Sequence, residues 1–335
     1  MSKKVTMQDI ADALGITKVS VSKALNNRPG LSDARRQQIL LMAKKMEYGV
    51  EGSKDGQPYR LAFVCPKRFF LEDDTFYTTI YYYINKQCLE QNHTVACFVI
   101  GSEDEKALRL PDKLQTERFD GMFIAGEFRH DYLKLLLPLQ GAKVFVDFYL
   151  PELSIDCIIS DNFHLGQSVT DYLIRKGHTQ IGFVGDIRAT SSICDRYFGY
   201  QKALKLAGLS GNDAWHIVNN DSFSGQYSLK FDLPQELPTA FVCHCDKAAF
   251  TLMQRLDMAG IKVPREVSVI SFDNTALCEL TRPRLTSVDF DRRQIARLGM
   301  QAMIARLREP EKPVGYLYSK GNLIERDSVS EHKEA

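Results

Sequence analysis

From Arg60 onward the chain alternates short apolar runs with amphipathic segments, and that alternation limits the fold more than any other feature. Runs at Leu61–Val64, Thr94–Val99, Gly121–Ile124, Lys143–Val146, Cys157–Ser160, Gln180–Val184, Thr239–Cys243 and Ser268–Phe272 read as strands. Between most of them lie helical patterns, among them Tyr77–Gln91, Leu165–Lys176, Tyr197–Ala207, Lys247–Ala259 and Arg292–Arg308. Strands joined through helices run parallel and are covered on both faces, so a doubly wound α/β body is expected. About 270 residues is too much for one such unit, which predicts two subdomains with a cleft between them.

The first 48 residues have a different period. In Thr6–Asn26, TMQDIADALGITKVSVSKALN, Thr6 with Asp9 forms a capping box, and Ile10 and Leu14 share a helical face. Gly15 can turn the chain sharply and Thr17 can cap a second helix. On a wheel of about 100° per residue, Ser20, Val21, Ala24 and Leu25 fall in one small arc fit for packing. Lys18, Val19, Ser22, Lys23 and Asn26 fill the other arc, with cations, a hydroxyl, an amide and a methyl-bearing side chain. Those groups suit phosphate oxygens and base edges in a major groove, so the stretch reads as a helix-turn-helix with its second helix as reader. Thr6, Thr17 and Ser20, at the helix starts, complete the candidate DNA contacts. Without its context the same pattern would be an ordinary αα-hairpin with a solvated face. A third helix opens at Ser32 and Asp33, and its Ile39, Met42, Ala43 and Met46 stripe can close a three-helix head near Tyr48.

Charge divides the same way. Residues 1–60 hold 11 Lys/Arg against 6 Asp/Glu, a balance of +5, and the remainder balances at −4, which together give the net +1. A basic head on a slightly acidic body suits a head that meets nucleic acid. No run of 18 apolar residues is present and the start is polar and basic, so neither a membrane span nor export is expected. Eight cysteines without a C-x-x-C pair read as reduced cytosolic thiols. Cys243-His244-Cys245 lacks a second ligand pair at zinc spacing, so no metal is expected there, and the bland reading is the end of a buried strand. No Walker A loop, no G-x-G-x-x-G after a strand, no G-x-S-x-G and no H-E-x-x-H occurs, which leaves an enzyme reading and a cofactor without support.

In open parallel sheets ligands sit beyond the carboxyl ends of strands. The residues just past the strands are Phe76 and Tyr77, Asp147, Asp161, Arg196, Asp246 and Asp273. Carboxylates and a guanidinium can hold vicinal hydroxyls, and aromatic rings can stack on a sugar's C–H face. Phe76 and Tyr77 also fit a core stripe with Tyr81, Ile84 and Cys88, and Asp161 fits a helix cap better than a ligand.

The segment VTMQDIADALGITKVSVSKALN resembles the N-terminus of LacI/GalR-type bacterial repressors. DNFHLGQSVTDYLIRKGHTQIGFVGD, DRYFGYQKALKLAGL, PTAFVCHCDKAAFTLMQRLDMAGIKVPREVSVISFDN, RPRLTSV and LIERDSV resemble later blocks of that family in order. The resemblance implies a body similar to periplasmic sugar-binding proteins, with crossovers near Ser160, Asp289 and Gly321. The domains implied are a head at 1–48, a linker at 49–59, and a body at 60–335. Within the body, 60–159 with 289–320 would form one subdomain and 160–288 with 321–330 the other. Lys18, Val19 and Lys23 fall on the family's base-contacting positions, with Lys23 where Arg is usual. Arg196, Asp273 and Asp147 fall on ligand-contacting positions, and Phe223 where an aromatic wall often stands. Cys245 stands where many relatives carry Asn, Ala125 where some carry a polar contact, and Asn274 where a second Asp is common.

The reading is a dimeric, DNA-binding transcriptional repressor controlled by a small molecule, a carbohydrate by the character of the pocket. The alternatives are a cytosolic sugar-binding module whose head serves a protein partner, a sugar-acting enzyme, or a regulator answering a non-sugar ligand or a protein co-regulator. Gly49–Arg60 reads GVEGSKDGQPYR, without the N-x-x-A-x-x-L segment that relatives fold into a hinge helix. With two flanking glycines, Pro58 and no Leu, no hinge helix and no leucine wedge in the minor groove are expected.

Overall fold

The computed structural model describes residues 6–25, 30–45, 58–70, 75–221 and 224–332. Asn26, Phe223, Met46, Tyr48 and linker positions 49–57 lie outside the described residues. The chain divides into a head, drawn from 1–59 with 91–93, and a body made of the rest.

The head contains α1 (Met7–Leu14), α2 (Lys18–Leu25) and α3 (Asp33–Lys45). Asp9 N–H donates to Thr6 Oγ1 at 3.2 Å and Thr6 N–H to Asp9 Oδ2 at 2.6 Å, which satisfies donors that α1 would otherwise leave open. Gly15, at φ 61°, ends α1 in the left-handed region. Thr17 Oγ1 accepts from Ser20 N–H at 3.2 Å and caps α2, which starts at the next residue. Ile10, Ala11, Val21, Ala24, Ile39 and Ala43 are buried together as a small core. Arg36 of α3 donates to the carbonyls of Lys23 and Ala24, at 3.4 and 3.5 Å, and so holds the far end of α2. Tyr59 is buried beside His93, and its N–H donates to His93 Nδ1 at 3.2 Å.

The body begins with β1 (Arg60–Pro66), α4 (Phe76–Glu90), β2 (Thr94–Ile100), α5 (Ser102–Lys106), α6 (Asp112–Thr116), β3 (Gly121–Ala125), α7 (His130–Leu136), β4 (Ala142–Val146) and β5 (Asp156–Ser160). It continues with α8 (Asn162–Arg175), β6 (Ile181–Val184), α9 (Ser191–Leu206), β7 (His216–Ile217), a small hairpin of β8 (Asn220–Asp221) and β9 (Gln226–Tyr227), β10 (Ala240–Cys243), α10 (Asp246–Met258) and β11 (Ser268–Phe272). Then come α11 (Leu277–Leu280), β12 (Thr286–Phe290), α12 (Arg292–Arg308), β13 (Tyr316–Ser319) and β14 (Gly321–Ile324).

The strands make two six-stranded sheets, β13-β5-β4-β3-β1-β2 and β14-β12-β11-β10-β6-β7. Nearly continuous burial along β1, β3, β5, β10 and β11 is what coverage on both faces produces. The expectation of wholly parallel sheets needs one correction. β14 pairs antiparallel with β12, because the chain steps from β13 into it through Lys320 alone, without a helix to reverse its direction. The chain passes between the sheets at Asp161, Asp291 and Lys320. Asp161 N–H donates to Ser319 O at 3.1 Å and Ser319 Oγ to Gln294 Oε1 at 3.2 Å, so these crossings lie side by side.

Two glycines set the geometry that later matters. A Cβ on Gly166 of α8 would stand 2.2 Å from Arg196 O, and one on Gly199 of α9 would stand 2.0 Å from Phe163 O. The two helices thus pack backbone against backbone, as only glycine permits. Among the described residues no helix is long and apolar enough to cross a membrane.

Candidate functional site

The outward face of α2 carries Lys18 and Val19, both exposed, with 64% of Val19 accessible. Ser22 and Lys23 are half-buried on the same helix. Thr6 and Thr17 serve as caps, and Ser20 Oγ lies 3.0 Å from Thr17 Oγ1. Of the expected DNA contacts, these three therefore have structural work inside the head, while Lys18 and Val19 face outward.

In the body, the carboxyl ends of both sheets converge on a cleft. Its walls hold Phe76 and Tyr77 at the start of α4, Asp147 after β4, Arg196 of α9 and Asp273 after β11. Asp147 and Asp273 both adopt left-handed backbone, at φ 68° and 100°. For residues with a Cβ that conformation is costly, and it concentrates at binding sites.

Arg196 is buried at the centre. Its Nε donates to Asn162 Oδ1 at 2.8 Å, its Nη1 to the carbonyl of His244, and its Nη2 lies 3.7 Å from Asp273 Oδ1. The guanidinium carbon stands 4.6 Å from the Phe272 ring centroid and 5.2 Å from that of Phe290. Gly166 and Gly199 bring α8 and α9 close enough for Asn162 to reach it.

Asp147 accepts from Tyr77 OH at 2.7 Å. Burial raises its pKa, with Arg196, Tyr77 and Ser160 pulling the other way, and burial also pushes the Tyr77 phenol well up. Neither Asp147 Oδ1 nor Ser160 Oγ finds a partner in hydrogen-bonding geometry, although both are buried. A buried acceptor left open at a cleft wall is an invitation to a donor from a ligand.

Asp246 requires a correction. It does not line the cleft. Ser271 Oγ and Ser287 Oγ donate to its Oδ1 at 2.6 Å each, and Thr275 N–H and Oγ1 donate to its Oδ2 at 2.6 and 2.9 Å. That carboxylate ties together the ends of β10, β11 and β12 and has no capacity left for a ligand. The residues that do line the cleft there are the two preceding it, His244 and Cys245, with Lys247 following. The rule of looking just past a strand end was sound, but β10 ends at Cys243 and the chain has already turned inward by Asp246.

His244 Nδ1 lies 3.1 Å from Val184 O and so carries the proton, which leaves Nε2 to accept from Tyr227 OH at 3.1 Å. Burial pushes the His244 pKa down to about 4. Tyr227 stacks on His244, stands 3.0 Å from Cys245 Sγ and has Lys247 Nζ 5.8 Å from its ring centroid. Nothing in the chemistry of its neighbours marked Tyr227 in the sequence. Among the described residues no three His, Cys, Asp or Glu side chains converge as metal ligands. Asp161 stands at the N-cap of α8, yet its carboxylate bonds His164 Nδ1 at 2.7 Å rather than a backbone amide.

The cleft is closed. Ser191 N–H donates to Glu127 Oε2 at 2.7 Å and Tyr149 OH to Asp195 Oδ1 at 3.0 Å, each bond joining one subdomain to the other. The free space is about 90 Å³, less than the ~150 Å³ that admits a benzene-sized guest. A sugar could occupy it only after the subdomains part.

A periplasmic binding protein-like domain is matched over residues 170–329. The HTH-type transcriptional repressor PurR of Vibrio vulnificus is 23% identical over 328 residues, which cover 97% of this chain and 98% of that protein. A structure described as the transcriptional regulator CelR–cellobiose complex superposes with a TM-score of 0.69 at 21% identity, covering 97% of this chain and all of the other. The lac repressor dimer bound to operator and the anti-inducer ONPF superposes with a TM-score of 0.67 at 19% identity, covering 98% of this chain and all of the other. At such identities the two structural likenesses speak for the fold.

Proposed function

We propose that the chain is a member of the LacI/GalR family of bacterial transcriptional regulators, a cytoplasmic homodimeric repressor whose α2 reads operator DNA and whose cleft takes a small carbohydrate. The observation that carries this reading is the cleft wall, where Asp147, Arg196 and Asp273 meet the rings of Phe76 and Tyr77. Fixed carboxylates and a fork-shaped cation orient hydroxyls, and the rings supply an apolar face. No group in the cleft acts chemically on its ligand in this reading, so the protein is a switch and not an enzyme. None of the eight cysteines, all of them among the described residues, forms a disulfide. A dimer is required because one reader helix covers half of a palindromic site.

Binding would shift the closure of the cleft and, through it, the spacing of the two heads. Because the linker GVEGSKDGQP carries three glycines and Pro58 and no leucine, that coupling does not depend on a folding hinge, and a circular-permutation assay should show a weakly bent operator.

A salt-dependent gel shift on DNA from the neighbourhood of the gene tests the whole. Affinity should fall steeply as salt rises, since phosphate contacts release counterions, and one sugar from a panel should change it. Lys23→Ala should cost about 1–3 kcal/mol on operator and less on random DNA. Absence of DNA binding even at low salt would overturn the reading.

A further inference from the structure

A second cavity, of about 700 Å³, shares no lining residue with the cleft. Tyr149, just past β4, and Tyr316 and Tyr318 of β13 contribute from one subdomain. His164 of α8 and Asp195 of α9 contribute from the other, and Asp161 sits in the crossing between them.

β13 is the edge strand of its sheet, and Tyr316 and Tyr318, two residues apart, stand on one face of it. Their exposures are 39% and 57%, high for tyrosines that border a cavity. Tyr149 meets Tyr316 edge to face at 6.1 Å. Asp195 accepts the Tyr149 hydroxyl and feels the Arg196 charge beyond the cavity wall, and Asp161 meets His164 Nδ1 at 2.7 Å. No lysine or arginine lines the space, although two carboxylates do. At its rim Phe163 already carries a cation, with Lys202 Nζ 5.0 Å from the ring centroid.

Aromatic faces beside two carboxylates, with no lysine or arginine among the lining residues, are the chemistry that recognises an organic ammonium group, since the ring quadrupole and the carboxylate both attract positive charge. A neutral polyol would leave the carboxylates short of charge, and an anion would be repelled. We propose that this cavity is a second ligand site, which takes a small organic cation between Asp161 and Asp195 and against Tyr316 and Tyr318. Because its walls come from both subdomains, the occupant fits only one degree of closure. By linkage it must alter the affinity of the cleft for its own ligand, and the cleft ligand must alter the affinity here by the same factor.

Calorimetric titration of the full-length protein tests this, with choline as probe, its neutral carbon isostere 3,3-dimethylbutan-1-ol as comparator and sodium chloride at matched ionic strength. Choline should bind about tenfold or more tightly than the isostere, the margin a desolvated cation–π contact supports. Tyr318→Ala and Asp161→Asn should each weaken choline at least about fivefold, with the urea midpoint unchanged. Tyr318 lines this cavity and not the cleft, so its effect places the site. Equal binding of choline and its isostere would reduce the cavity to an apolar hollow and overturn the proposal. So would an absence of choline binding, or affinity untouched in both variants.

Discussion

Asp147 and Asp246 are both buried carboxylates beyond the ends of strands, and they behave as opposites. Four donors surround Asp246 and use it to lock three strand ends together. Asp147 has Tyr77 OH and, on its other oxygen, nothing in bonding geometry. The first is part of the frame, and the second is part of the cleft wall. Burial, charge and position do not separate them; the number of satisfied lone pairs does.

The comparison can be broken most sharply at the frame. Asp246→Ala strands two serine hydroxyls and both donors of Thr275, and should lower stability by about 3–5 kcal/mol in urea unfolding. A loss under about 1 kcal/mol would mean that the network is decorative and that Asp246 was free for other use.

His244 gives the next largest effect, and it is pH-dependent. The folded state holds the imidazole near pKa 4, whereas an unfolded histidine titrates near ~6.5. Between those values the unfolded chain binds the extra proton, so stability is fully present above about 6.5 and is lost as pH falls toward 4. That loss reaches roughly 3 kcal/mol at most, and His244→Gln should flatten it in unfolding curves taken across the window. Gly199→Ala follows, at about 2–3 kcal/mol, because its Cβ would overlap Phe163 O and pry α9 from α8. If the cleft takes a ligand as proposed, ligand affinity should suffer beyond what stability explains, since Arg196 rides on α9.

Asp147→Asn should do least to the fold, within about 1 kcal/mol at pH 7, because the Tyr77 bond survives and the open oxygen has little to lose. The raised pKa of Asp147 makes the folded state bind the proton above the unfolded value near ~4, so its contribution falls as pH rises through that shifted pKa, and the Asn variant should lack that slope. A fold loss as large as that of Asp246→Ala would erase the distinction between frame and site.

Much of the body was legible because β1, β3, β5, β10 and β11 are short unbroken apolar runs that only a doubly covered sheet can bury. β12, β13 and β14 were not: TSVDF is buried, but its Thr286 and Ser287 are satisfied by Arg326 and Asp246, partners the strand itself does not announce, while YLYS and GNLI mix polar and apolar residues at the sheet edges, where pairing more than burial holds them. In the head, Thr6, Gly15 and Thr17 announced their caps by type and spacing alone. In the cleft, Arg196 and Asp273 were named by their place past the strands and again by resemblance, but Tyr227 depends on a hairpin of two-residue strands that no periodicity reveals. Asp246 misled because a carboxylate's residue type says nothing of how many donors will surround it.

The side-by-side crossings at Asp161, Asp291 and Lys320 have a mechanical meaning. One tether would leave a subdomain free to tumble, and two would still permit twisting. Three, stitched to each other through Ser319, act as the pins of a single axle. Motion of the body then reduces to one angle, and an occupant of either cavity acts on the two subdomains only by turning that same shaft.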